Sequence, residues 1–197
     1  MTNPYDVVRQ FEDALCEYTG SKYAVAVNSC TSALLICCAY HKVDWVQIPR
    51  RTYVSVGMAI KVAGGKVAFR DEDWSGMYLL HPYPIWDSAR RFTSGMYIEG
   101  EFMCCSFHWS KHLQIGLGGC ILHDSDEADP ILRRMRFDGR TEGVEPKDDE
   151  FPVLGYHAYL TPGLAADGLM RMSLLPKHNA DLENSDYPDL SQVGLFQ

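Results

Sequence analysis

The chain has 197 residues, 46% of them hydrophobic and 22% charged, the profile of one folded domain rather than of a disordered segment. At this length about 70% of the unfolded chain's surface can be buried, so a core needs no metal or disulfide staples. A formal charge of −8 sets the overall field against nucleic acid held through its phosphates, and no run of about eighteen apolar residues is present to cross a membrane.

The opening stretch Met1-Thr2-Asn3-Pro4-Tyr5-Asp6 lacks a basic segment followed by an apolar run, which predicts a cytoplasmic protein. The seven cysteines are odd in number, and Cys37-Cys38 and Cys104-Cys105 are adjacent. That usage predicts reduced core thiols rather than a disulfide framework.

From Pro4 to Tyr18, Val7, Val8, Phe11, Ala14 and Leu15 recur at helical spacing, and Gly20 stands where the helix should stop. Tyr23 to Val27 reads as a strand, Asn28 to Ser32 as a polar cap, and Ala33 to Tyr40 as the helix behind it. Trp45 to Pro49 predicts a second strand, Tyr53 to Ala63 a helix ending at Gly64-Gly65, and Lys66 to Phe69 a third strand. Beyond Asp71, strands are predicted at Met77–Leu80, Ile85-Trp86, 103–107 and 119–122. A helix opens at Asp124 and runs through Arg136, with Asp126 and Glu127 in its first turn and Arg133, Arg134 and Arg136 in its last. A polar loop spans 137–152, and Leu160 to Leu175 is the last helical stretch. Alternating strand and helix in the first seventy or so residues predicts an α/β domain, three layers with a mainly parallel central sheet. Residues 1–176 form that domain, and 177–197 read as an acidic tail on its surface.

Four places hold polar groups that a buried sheet does not need. Asn28-Ser29-Cys30-Thr31-Ser32 lies at a strand-to-helix junction, where free N–H groups and hydroxyls suit a phosphate as well as they suit an ordinary N-cap. Asp87 follows a strand end, the place where open α/β sheets gather ligands, and it would equally cap a helix from Ser88. Lys111 stands among aromatic and apolar residues, just before Gly116-Leu117-Gly118-Gly119. Burial there would disfavour its charge and suit Schiff-base chemistry, whereas a surface lysine would merely lay its stem along the protein. His108 and His112 have the spacing of a metal pair without a third ligand, so no metal is predicted. The fourth place is Gly155-Tyr156-His157-Ala158-Tyr159.

In this order the four places resemble the DegT/DnrJ/EryC1/StrS family of sugar aminotransferases, which are pyridoxal-phosphate enzymes of fold type I. The likeness is carried by Phe11-Glu12, Tyr18-Thr19-Gly20, Ser29 to Leu34, Pro49 to Tyr53, Asp87-Ser88-Ala89, and the string Ser106-Phe107, Lys111, Gly118-Gly119. It covers about residues 7 to 175 and implies a shortened cofactor-binding large domain without the family's C-terminal small domain. The resemblance implies that Lys111 forms the Schiff base and moves protons, and that Asp87 pairs with the pyridinium nitrogen. It further implies that Tyr53 stacks on the ring, and that Ser29, Cys30, Thr31 and Ser106 hold the phosphate. Arg90 falls near the ring hydroxyl, and His157 reaches the partner's phosphate in a homodimer with a shared active site.

The reaction so implied moves an amino group, from L-glutamate, to a keto group on a nucleotide-linked sugar. Two other readings stand beside it: the same cofactor with a decarboxylation, elimination or different acceptor, and a non-catalytic partner or regulatory subunit. The chain departs from the family pattern at Cys30 (glycine there), at Arg90 (glutamine or histidine) and at His157 (asparagine). It is also too short between Asp73 and Pro84 for the strand-helix unit that the family places before its aspartate.

Overall fold

The computed structural model describes residues 3–184 and 186–197; Met1 and Thr2, at the head of the opening stretch read above, lie outside them. Helix α1 (Asp6–Thr19) buries Val8, Phe11 and Leu15 on one face and stops at Gly20, whose φ of 83° is the left-handed conformation that glycine adopts without a Cβ clash. Strand β1 (Tyr23–Val27), helix α2 (Cys30–Tyr40), strand β2 (Trp45–Pro49), helix α3 (Val54–Val62) and strand β3 (Lys66–Arg70) follow the expected alternation. Then come β4 (Tyr78–Leu79), β5 (Ile85–Asp87), β6 (Phe102–Ser106), β7 (Gly119–His123), α4 (Ala128–Arg136) and α5 (Pro162–Met172). Helix α4 starts later than the expected Asp124, at Ala128, whose N–H donates to Ser125 Oγ at 3.1 Å; Asp129 is the acidic residue of its first turn.

Among the described residues, one sheet has the order β1-β7-β6-β5-β4, and β2 and β3 pair separately. The expected α/β layering holds, but the central sheet is mixed rather than mainly parallel. Within it only β5 and β6 run parallel, whereas β1–β7, β6–β7 and β4–β5 are antiparallel. Parallel neighbours need a long crossover. Helix α3 supplies one between β2 and β3, which are parallel, but no helix stands between β4 and β7. The short turn from β4 to β5 permits only a hairpin, which sets Tyr78 opposite Asp87.

Alternate strand residues feed two cores. Val25, Val27, Cys104 and Ile121 pack toward α2, α3 and α4, while Ala26, Met103, Cys105 and Leu122 pack toward α1 and α5. All seven cysteines are free, five of them buried, as their usage implied. Glu12, from α1, is buried with Arg133 and Arg136 of α4, and its Oε1 also accepts the Ala26 N–H at 2.8 Å, so this ion pair ties helix to strand.

The last residues are more than a surface tail. Leu190 is fully buried and its N–H donates to Arg50 O at 2.9 Å, while Phe196 packs edge-on to Phe69 of β3. The acidic side chains pull the segment inward by pairing with arginines, Asp181 with Arg91 and Asp189 with Arg50.

Candidate active site

A cavity of about 600 Å³ lies where β5 and β6 end and α2 and α3 begin, the position at which open α/β sheets take their ligands. It gathers Lys111, Asp87, Ser106 and Tyr53 with Arg90 and the Ser29-Cys30-Thr31 turn. His157 is not brought to it. That side chain is 73% exposed, and its Nδ1 lies 2.9 Å from Asp138 Oδ2.

One end of the cavity is built for an anion. Ser29 is the N-cap of α2, in extended conformation, and its Oγ accepts the Ser32 N–H at 3.1 Å. The first N–H groups of the helix, at Cys30 and Thr31, have no partner within the helix and carry the positive end of its dipole. Thr31 Oγ1 and Ser55 Oγ sit 2.7 Å apart beside them. Cys30 does not need the conformational freedom of the family's glycine, because it begins a regular helix, and its Sγ turns away to donate to Cys104 O at 3.4 Å. The glycine that matters is Gly119. A Cβ there would lie 2.6 Å from both Cys105 O and Cys30 N, so only glycine lets β7 pass this close to the helix start.

The other end holds opposed charges. Asp87 is 4% exposed. Its Oδ1 accepts the Ala89 N–H at 3.0 Å and its Oδ2 accepts the Tyr78 hydroxyl at 2.9 Å. Tyr78 Oη is in turn 2.6 Å from Thr52 Oγ1, and both of those residues are buried. Burial pushes the Asp87 carboxyl up, and the two donors together with the Lys111 and Arg90 charges pull against it. Burial likewise pushes the Lys111 amine down, and the Arg90 charge pushes it further, while Cys30 and Asp87 oppose. An amine with its proton loosened, a carboxylate and a nest of anion donors thus share one pocket.

Tyr78, Thr52, Ser55, Trp74 and Tyr187 complete this pocket and its surroundings without having been foreseen as site residues. For Tyr78 a signal exists, since two short strand candidates across a proline-rich turn form a hairpin that brings it beside Asp87. Tyr187 carries no such signal. Its ring stacks on Trp74 at 6.2 Å, and its hydroxyl accepts from Arg90 Nε at 3.0 Å, pairings across half the sequence.

The sequence profile of the DegT/DnrJ/EryC1/StrS aminotransferase family matches residues 1–82 and 95–184. The intervening stretch, with Asp87 and Arg90, therefore owes its place at the site to geometry. The chain is 25% identical over 221 residues to GDP-perosamine synthase of Caulobacter vibrioides, covering 88% of this chain and 58% of that protein. It is 24% identical over 223 residues to UDP-4-amino-4,6-dideoxy-N-acetyl-beta-L-altrosamine transaminase of Campylobacter jejuni, with the same shares covered. The chain thus spans little more than half the length of these curated relatives. The crystal structure of AtS13 from Actinomadura melliaura has the same fold, with a TM-score of 0.77 at 21% identity over 85% of this chain and 59% of that one.

Proposed function

The chain belongs to the DegT/DnrJ/EryC1/StrS aminotransferase family, and on that premise we propose that it forms the pyridoxal-phosphate site of an enzyme that aminates a keto group on a nucleotide-linked sugar, with L-glutamate as donor. The observation that carries this is the meeting of Lys111 and Asp87 in a pocket whose far end is the N-terminus of α2. Two relatives are named for GDP- and UDP-linked sugars, which supports that substrate class. In this reading residues 1–176 are a shortened large domain and 177–197 an outer strap. The protein acts as a cytoplasmic homodimer in which His157 of each subunit faces the other subunit's phosphate site.

The residues fit the cofactor. A buried carboxyl suits a protonated ring nitrogen, the α2 N-terminus with Thr31 and Ser106 suits a phosphate, and Gly119 keeps the cradle open. When bound, the cofactor supplies an electron sink for charge developing on the carbon that bears the amino group. The protein does the rest. Asp87 would hold the ring nitrogen's proton in place by its charge, and the Tyr53 ring, on the cavity wall, would offer its face to the heterocycle. Arg90 would be the cation near the ring hydroxyl. Lys111 Nζ, unprotonated more readily than an exposed lysine, would be the group that holds the cofactor covalently and, once released by the donor amine, the base that takes the proton from the donor's α-carbon.

The test is the visible spectrum of the protein after incubation with pyridoxal phosphate and removal of the excess, beside Lys111→Ala. A retained band that needs Lys111 and bleaches with L-glutamate is the expected result. A band that ignores glutamate would overturn the donor, and the lack of any band in the wild type would overturn the cofactor.

A further inference from the structure

We infer that Tyr78, backed by Thr52, is the positioning residue that keeps the Asp87 carboxylate ionised and aimed into the pocket. The inference rests on the cofactor reading for its purpose, though its physics belongs to this chain alone. Asp87 ends β5 and is almost wholly withdrawn from water, and a carboxylate there is stable only if donors replace the lost hydration. Two are supplied. The Ala89 N–H comes from the same turn, as any strand-to-helix cap might provide it. The Tyr78 hydroxyl comes from the opposite strand of the hairpin, where β4 sets Tyr78 directly across from Asp87.

The direction of the chain of hydroxyls follows from its ends. An ionised carboxylate accepts only, so Tyr78 spends its proton on Asp87 Oδ2. Thr52 must then donate to Tyr78 Oη, across 2.6 Å. Thr52 is 1% and Tyr78 2% exposed, so no water competes for either bond. The tyrosine keeps its own proton, since burial and the Asp87 charge push its hydroxyl well up.

The remaining neighbours of Asp87 do not replace this bond. Lys111 and Arg90 favour its charged form from the loops after β6 and β5. Cys30 of α2 and Cys104 of β6 also face it as thiols that its charge helps keep protonated.

The experiment titrates the carboxyl of Asp87 by carbon NMR in the cofactor-free full chain, with the signal assigned by its loss in Asp87→Asn. Alongside it, the retention of pyridoxal phosphate is measured against pH. Tyr78→Phe keeps the ring and removes the donor, and it should raise the Asp87 midpoint by about one unit, the value of one hydrogen bond to a charged group. Thr52→Val should move it less, in the same direction, and it serves alone if Tyr78→Phe does not fold. The acid limb of cofactor retention should rise with the midpoint in each variant. An unmoved midpoint in both variants would overturn the inference while leaving cofactor capture by the wild type intact. A wild type that retains no cofactor would instead overturn the proposed function, and the titration would still decide whether Tyr78 holds Asp87.

Discussion

The floor of the pocket and its outer wall hold their residues by different means. On the floor, Asp87 and Ser106 stand at the ends of β5 and β6, and the Ser29-Cys30-Thr31 turn begins α2. Their positions are fixed by a sheet ladder and two packed cores. Among the described residues of the wall, 181–184 and 186–190, no helix or strand precedes Leu190. It is held by the paired bonds from Arg91 Nε and Nη2 to the Asp181 oxygens (2.8 and 2.6 Å), by Leu182 N–H to Arg90 O (3.0 Å), and by the Tyr187 ring on Trp74. Rigid elements place groups that must meet a reacting atom to within a fraction of an ångström. A strap held by surface ion pairs and one buried leucine encloses the pocket and leaves the fold free to change what it admits. The floor is thus set by the sheet and the helix starts, and the wall by side-chain pairing.

The largest effect that would break this division lies at Asp87. Asp87→Asn should weaken pyridoxal-phosphate binding by about a hundredfold to a thousandfold, the loss expected when one partner of a buried charge pair is removed. The same substitution should make the cofactor-free protein more stable at pH 7. Burial raises the folded-state value of this carboxyl, so the native state loses stability as pH rises through it, and the ionised group is a net cost at neutral pH. The gain should fade as pH falls below the ordinary carboxylate range, where both states are protonated. Lys111→Met should behave likewise with the opposite proton bookkeeping. The folded-state amine is lowered, so its cost is present through neutral pH and disappears only above the ordinary lysine value near 10.4. Thermal unfolding against pH checks both signs. Equal losses of stability in the two variants would mean that these groups are structural ties rather than strained equipment.

Next in size is the wall. Leu190 has no exposed surface, and Leu190→Ala should cost about 2–5 kcal/mol if the strap unfolds together with the domain. Urea unfolding decides. An unchanged midpoint would show that the strap opens locally before the core does, and the pocket would then be enclosed only part of the time.

This division also marks what could be read without coordinates. Helices α1, α2 and α3 and their strands announce themselves by period and by end signals such as Gly20, Ser29 and Gly64-Gly65, all of which are local. Lys111, Asp87 and the α2 cap, which share the cavity, could be singled out from a few neighbouring residues, whereas Ser106 was singled out only by the family resemblance. Strand direction was less so. The pairing of β1 with β7 brings Val27 opposite Gly119 across more than ninety intervening positions, and nothing near either residue encodes it. The burial of Leu190 in the strap is hidden from the sequence for a related reason. The strap's acidic side chains suit solvent equally well until Arg50 and Arg91 are found beside them. His157 shows the converse case, a residue chosen by pattern whose side chain faces Asp138 and solvent, away from the pocket of its own chain.

The smallest effect tests whether floor and wall are joined at all. Arg90 is the joint: its backbone carbonyl holds Leu182, its Nη1 donates to Glu183 O and its Nε to Tyr187, while its charge acts on Lys111. A guanidinium near a protonated amine is repelled by it, so a guanidinium that stays there is being held. Tyr187→Phe removes one holding bond and keeps the ring on Trp74. Arg90 should then relax away from Lys111, the amine should keep its proton to higher pH, and capture of pyridoxal phosphate at pH 7 should slow by a few-fold, within the value of one ordinary hydrogen bond. The capture rate at high pH, where the amine is neutral in both proteins, should be unchanged. A shift confined to the pH midpoint would mean that the strap sets the reactivity of Lys111 through Arg90. Equal slowing at every pH would mean that Tyr187 only shapes the way in, and floor and wall would then be independent parts.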